Sequence, residues 1–249
     1  MRVSRKTLKA YTDMVAALSN RALEQLAKAL ERIDLSDPSS KELVKVAFQE
    51  IMPGNMEASA YVAARMYDAL REASVGEALG AELYAGYSAK ADDIAINGIY
   101  KNSKSVEGIE VALIDRVLAN VKRAAMDTMV NNAASDRKSK RYTRVTQGAE
   151  SCGFCLMLSS MGAVHVSHPS PDLRAHVHGN CDCIIVPYFE GQTIDGYSQD
   201  EQYAKWQQRL TDEAAEAAER KGTTVAEEKQ RILGYYENSA KRAKQRDKQ

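Results

Sequence analysis

Cys152-Gly-Phe-Cys155 and, after a gap of 22 residues, His178-Gly-Asn-Cys181-Asp-Cys183 hold all four cysteines of the chain in one short window. The four histidines, His165, His168, His176 and His178, fall in the same stretch. A C-x2-C turn presents two thiols side by side, and H-x2-C-x-C presents up to three more soft donors. Zn²⁺ takes four N or S ligands at tetrahedral angles, and two closely spaced clusters joined by a loop supply them. The window therefore reads as a structural zinc clip with Cys152, Cys155, His178, Cys181 and Cys183 as candidate ligands. Cys152, Cys155 and Cys181 fill three positions, while His178 and Cys183 compete for the fourth.

Other uses of the cysteines compete with metal. Buried thiols fit Cys155 and Cys183, but Gly153, Asn180 and Asp182 are not core-like neighbours. Disulfides need an oxidising compartment, and Met1-Arg-Val-Ser-Arg-Lys6 opens into a polar helix with no secretory signal. A redox pair would be expected in a βαβ pattern, which is not present around Cys152. His165, His168 and His176 sit around Ser167-His-Pro-Ser-Pro-Asp172, whose composition is that of a solvated loop.

Away from this window the chain reads as helix. Its 249 residues carry 34 basic and 34 acidic side chains, so overall charge selects neither nucleic acid nor an acidic partner. With three Phe and one Trp, the core must be filled mostly by aliphatic residues, Met and Tyr, which favours helix packing. No apolar run approaches the roughly 18–20 residues of a membrane span. Leu8, Tyr11, Val15, Leu18, Ala22, Leu26, Leu30 and Ile33 recur at steps of three and four, one face of a helix over 4–34. Such a face meets a core or a partner helix, so an oligomer through helices is one expectation. Asp37-Pro38 breaks that helix, and Ser39-Ser-Lys-Glu42 reads as a capping box for a second. The second is expected to stop at Pro53-Gly54-Asn55, with a third beyond it carrying Val62, Ala63, Met66 and Leu70. Five glycines between Gly76 and Gly108 blur the pattern, each costing about 1 kcal/mol within a helix. A clear stripe returns over 107–130.

At Ser135 the composition changes. Arg137, Lys138, Lys140, Arg141 and Arg144 face a single acid, Asp136. Such a run can neutralise nucleic-acid phosphates, and it can equally be a solvated hinge. Tyr142–Thr146, Ala163–Val166 and Cys183–Phe189 have strand-like alternation. A β-clip this small depends on its metal, which contributes about 10–16 kcal/mol in small zinc-dependent folds. Past Gly196, Ser198-Gln-Asp-Glu201 and Thr224-Val-Ala-Glu227 cap two more helices. The expected fold class is mainly α: a helical domain over 1–135, a small zinc-stabilised α+β clip over 136–190 and a helical tail over 191–249.

The run from Asp136 through Arg144-Val145, Cys152-Gly-Phe154-Cys155 and His178-Gly-Asn-Cys181-Asp-Cys183 to Pro187 resembles the phage minor head proteins of the Mu F-like group. The resemblance covers roughly 136–190 and is most like the versions of actinobacterial phages. It implies a minor capsid protein built into the head near the portal, with the portal and the major capsid protein as partners and packaged double-stranded DNA as a further contact. It implies assembly in the host cytoplasm and residence in the virion, at the capsid interior or portal vertex, with no membrane partner. The role so implied is not enzymatic. A zinc-dependent nuclease or hydrolase using His176 or His178 as base is the alternative. Against it, four or five ligands close the zinc shell, whereas catalytic zinc keeps an open position. A protease is disfavoured because no G-x-S-x-G elbow is present.

Overall fold

The computed structural model describes residues 1–139, 141–148, 151–165, 179 and 182–246, with side chains described as far as Tyr236 and excluding His165. The fold is mainly α, with seven α-helices and five short strands among the described residues. These residues form two compact units. One is built from Lys6–Asn132 together with Gly179; the other takes Met1–Arg5 and the remaining described residues from Ala133 onward.

The helical unit contains α1 (Arg5–Leu30), α2 (Lys41–Val75), α3 (Ala89–Asn102) and α4 (Val106–Ser135), less the first residue of α1 and the last three of α4. Helix α1 buries Leu8, Tyr11, Val15, Ala22 and Leu26, the stripe expected from its periodicity. Its core is continuous with Val44, Phe48, Met52 and Met56 of α2, Ile96 of α3 and Leu113, Val117 and Val121 of α4. Ser59 Oγ of α2 donates to the Val121 carbonyl of α4 at 2.8 Å.

Two local expectations fail here for a non-local reason. Helix α2 does not stop at Pro53 but runs through it for 35 residues. An interior proline costs about 3 kcal/mol. Phe48 and Met52 before it and Met56 and Ala60 after it are all buried, and each large apolar side chain contributes about 1.5–3 kcal/mol, so continuity wins. Asn55 Nδ2, donating to the Ile51 carbonyl at 2.8 Å, supplies a hydrogen bond beside the proline. Nor does Ser39-Ser-Lys-Glu42 form its capping box. The Asp37 carboxylate caps a 3₁₀ turn over Pro38–Ser40, and the Ser40 hydroxyl instead bonds Tyr100 Oη at 2.9 Å.

The glycine-rich stretch resolves into an extended strap from 77 to 88 followed by α3. Gly76, at φ 88°, ends α2 in the left-handed region that glycine adopts without strain. Asp68 Oδ1 then accepts from the amides of Leu79, Gly80 and Ala81 at 3.0–3.1 Å. Asn132 accepts from the Glu82 amide and donates to its carbonyl, and Thr128 Oγ1 accepts from the Tyr84 amide. Side chains of α2 and α4 thus take the place of a neighbouring strand for a backbone that would otherwise lack partners. Gly80 and Gly86 therefore carry no helical cost, whereas Gly98 and Gly108 stand inside α3 and α4.

The mixed unit is built on a three-stranded antiparallel sheet in the order β3 (Val164–His165), β2 (Arg141–Thr146), β4 (Cys183–Pro187). The short helix α5 (Gly153–Ser160) lies between β2 and β3 in sequence and packs on β2. Helices α6 (Gln199–Lys221) and α7 (Val225–Arg246) form a hairpin, with α6 packed along α5. The first residues of the chain belong here too: β1 (Arg2–Val3) pairs in parallel with β5 (Thr193–Ile194). Both expected caps form. Ser198 accepts from the Glu201 amide, and Thr224 and Glu227 make the reciprocal bonds of a capping box.

The turn between α6 and α7 is held by Glu228, which is buried and meets Lys221 at 2.8 Å, Arg231 at 2.9 Å and Thr223 at 3.0 Å. The Lys221 ammonium, then Arg231 and Thr223, hold its carboxyl down at about 2, against an ordinary value of 4.5. A lowered folded-state pKa means the contribution is complete above about 4.5 and is lost as pH falls toward 2. Glu228→Gln should therefore weaken the hairpin at neutral pH and flatten the acid limb of its stability, as read by thermal unfolding between pH 2 and 6. In the helical unit, Pro53→Ala should stabilise by about 1–3 kcal/mol in urea unfolding with unchanged helix content.

Candidate metal centre

Cys152-Gly-Phe-Cys155 is not a free turn but the start of α5. Cys152 is the N-cap in extended conformation, and its Sγ accepts from the Cys155 amide at 3.4 Å. Both thiols thus sit at a helix N-terminus, where the dipole favours thiolates. In the sheet, Thr146 stands opposite Cys183 and Arg144 opposite Ile185. Cross-strand partners share a face and residues two apart share it again, so Arg144 and Cys183 are diagonal neighbours on one face. Cys155 Sγ comes within 3.3 Å of Cys183 Sγ, and both cysteines are buried. Sulphurs held at about 2.3 Å by one tetrahedral Zn²⁺ lie about 3.8 Å apart, somewhat farther than this pair. Among the described residues no cluster of three or more His, Cys, Asp or Glu side chains forms a metal site.

Asp182 brings the two segments together. Its Oδ2 accepts from the Gly148 amide at 2.8 Å and from Ser151 Oγ at 2.7 Å, and its carbonyl accepts from the Gln147 amide. A side chain at Gly148 would place Cβ 2.5 Å from that Oδ2, so the clasp requires glycine there. Glu213 of α6 and Tyr236 of α7 close over the first turn of α5. A Cβ on Gly153 would stand 3.0 Å from Tyr236 Oη and 3.2 Å from Glu213 Oε2, and the rings of Phe154 and Tyr236 meet edge to face at 5.4 Å. Burial first, then the negative charges of Glu213, Cys152 and Cys155, push the Tyr236 hydroxyl up to about 12.

Of the sequence candidates, the structure brings Cys155 and Cys183 together and places Cys152 at the adjoining cap. His178, Cys181, His176, His168 and Lys140 lie outside the described residues. The basic run divides. Arg137, Lys138 and Arg141 are exposed, Arg141 with its guanidinium 5.8 Å from the Tyr188 ring centroid. Arg144 is only 1% exposed, and its Nη1 lies 3.0 Å from Cys183 Sγ and 4.0 Å from Cys155 Sγ. Arg144 therefore belongs to the sulphur site rather than to a surface that could meet phosphates. Asp182, Glu213 and Tyr236 carried no sequence signal for this role, although Asp182 stands between two of the cysteines.

A mainly α protein with a small antiparallel sheet and paired thiols under a helical hairpin is the class that these elements define. Its sequence matches the family model described as VG15 protein over residues 2–209, so the chain belongs to the VG15 protein family, a family of viral gene products. No curated protein and no solved structure matches it. Among the described residues no helix is long and apolar enough to cross a membrane.

Hydrogen bonds to a charged group contribute about 1.5–3 kcal/mol each, so opening the clasp should be measurable. In chelator-treated protein, Asp182→Ala should raise the rate at which Cys155 and Cys183 react with a thiol reagent about tenfold or more.

Proposed function

We propose that this chain is a non-enzymatic minor component of a phage head, of the Mu F-like kind, stabilised by one structural zinc ion. The observation that carries the reading is the cysteine constellation inside a chain of a viral family: C-x2-C at the cap of α5 with Cys183 in contact with Cys155. Cys152, Cys155 and Cys183 would hold the ion, with Cys181 as fourth ligand and His178 left out of the shell. Four protein ligands leave no open position for water, and such a centre ties chain segments together instead of performing hydrolysis. The reading puts the protein in the virion, at the capsid interior or portal vertex, after assembly in the host cytoplasm. Helical surfaces would contact portal and major capsid protein. Arg137, Lys138 and Arg141, all exposed, are the residues offered to the phosphates of packaged double-stranded DNA.

Mass spectrometry of purified particles of the phage that encodes this chain tests the location. The protein should be present at a few copies per particle, and its absence would overturn the proposal. Elemental analysis should find one zinc per chain in wild type, retained in His178→Ala and lost in Cys155→Ser. Loss of the ion in His178→Ala would replace Cys181 or Cys183 as the fourth ligand.

A further inference from the structure

Arg144 is among the largest fully buried side chains of the protein. A charge taken out of water costs several kcal/mol unless something nearby offsets it. What its position on β2 puts beside it is sulphur, at 3.0 Å from Cys183 and within 4.0 Å of Cys155. The register is what makes this so: pairing Arg144 with Ile185 and Thr146 with Cys183 sets the guanidinium diagonally against the Cys183 side chain, under the first turn of α5. A one-residue slip would turn Arg144 to the other face of the sheet.

Resting on the zinc reading above, we propose that Arg144 is the positioning residue of the metal centre, a permanent positive charge that offsets the thiolates and holds the Cys155 and Cys183 sulphurs in place. As thiolates, Cys155 and Cys183 would bring two negative charges into positions that are both buried. The helix N-terminus offsets part of this charge, and the guanidinium offsets a full unit at hydrogen-bonding distance. Arginine suits the task because it stays charged when buried and its Nη1 lies near both sulphurs, 3.0 Å from Cys183 and 4.0 Å from Cys155. The same group gives the site a preference for a thiolate-bound divalent ion, since neutral thiols would leave the cation with less to offset it. Glu213, at the first turn of α5, is paired with Arg209 at 2.8 Å, and Arg144 is the cation that contacts the sulphurs directly.

The test compares wild type with Arg144→Lys and Arg144→Met in the full chain, reading zinc affinity by chelator competition and the sulphur-to-metal charge-transfer bands of the cobalt-substituted protein. Partners that support metal ligands typically carry about 10- to 100-fold in affinity. Arg144→Met, which keeps an unbranched stem and loses charge, should bind zinc weaker by that factor and shift the cobalt bands, while Arg144→Lys should stay within about threefold of wild type. Equal affinity in Arg144→Met, or equal losses in both variants, would overturn the proposal, the second by showing that packing and not charge is at work. Should Arg144→Met not accumulate, Arg144→Gln, neutral and polar, is read in the same way. Wild-type protein that holds no metal would overturn the zinc reading itself, an outcome distinct from a metal-bound wild type insensitive to Arg144.

Discussion

Two stretches of chain carrying thiols have to meet within a few ångströms, and the carboxylate of Asp182 is the group through which they do. One of its oxygens takes the Gly148 amide and the Ser151 hydroxyl, while its carbonyl takes the Gln147 amide. The loop leaving β2 is thereby laid against the residue that precedes β4, and α5 starts where that loop ends. Everything at the centre follows from this approach: Cys152 becomes the helix cap, Cys155 turns inward, and Cys183 arrives from the strand. A side chain at Gly148 would push the segments apart.

The helical hairpin closes the same region from the other side. Glu213 and Tyr236 lie over Gly153, and Tyr236 stacks edge-on against Phe154. Residues far apart in sequence thus surround two buried thiols and a buried guanidinium, with the Glu213 carboxylate at the first turn of α5 and Arg144 on β2. Such an arrangement strengthens each electrostatic contact because little water is left to screen it. The hairpin is in turn locked by Glu228, whose ion pair with Lys221 spans the turn that glycine at 222 allows, while Arg231 meets it from the same helix.

The helical unit shows how a packed core overrules local grammar. Pro53 and Gly54 are strong stop signals, yet Phe48, Met52, Met56 and Ala60 on either side of them belong to one buried surface. The strap over 77–88 shows the converse. Its glycines weaken any helical reading, but nothing near it in sequence announces that Asp68, Thr128 and Asn132 will satisfy its backbone. Those partners lie on helices whose own patterns are complete without it.

By itself the sequence determined what depends on neighbours along the chain. The stripes of α1 and α4, the caps at Ser198 and Thr224, the three strands near the cysteines and the clustering of soft ligands are all periodicities or spacings, and each follows from backbone geometry within a few residues. The tertiary structure alone decided what surrounds the cysteines that spacing had grouped. Arg144 reads as one of five basic residues in a surface run until the β2–β4 register turns it toward sulphur. Tyr236 and Glu213 reach α5 only because α6 and α7 fold back on it. Burial and the close approach of distant segments are properties of the whole packed chain, and no local pattern encodes them.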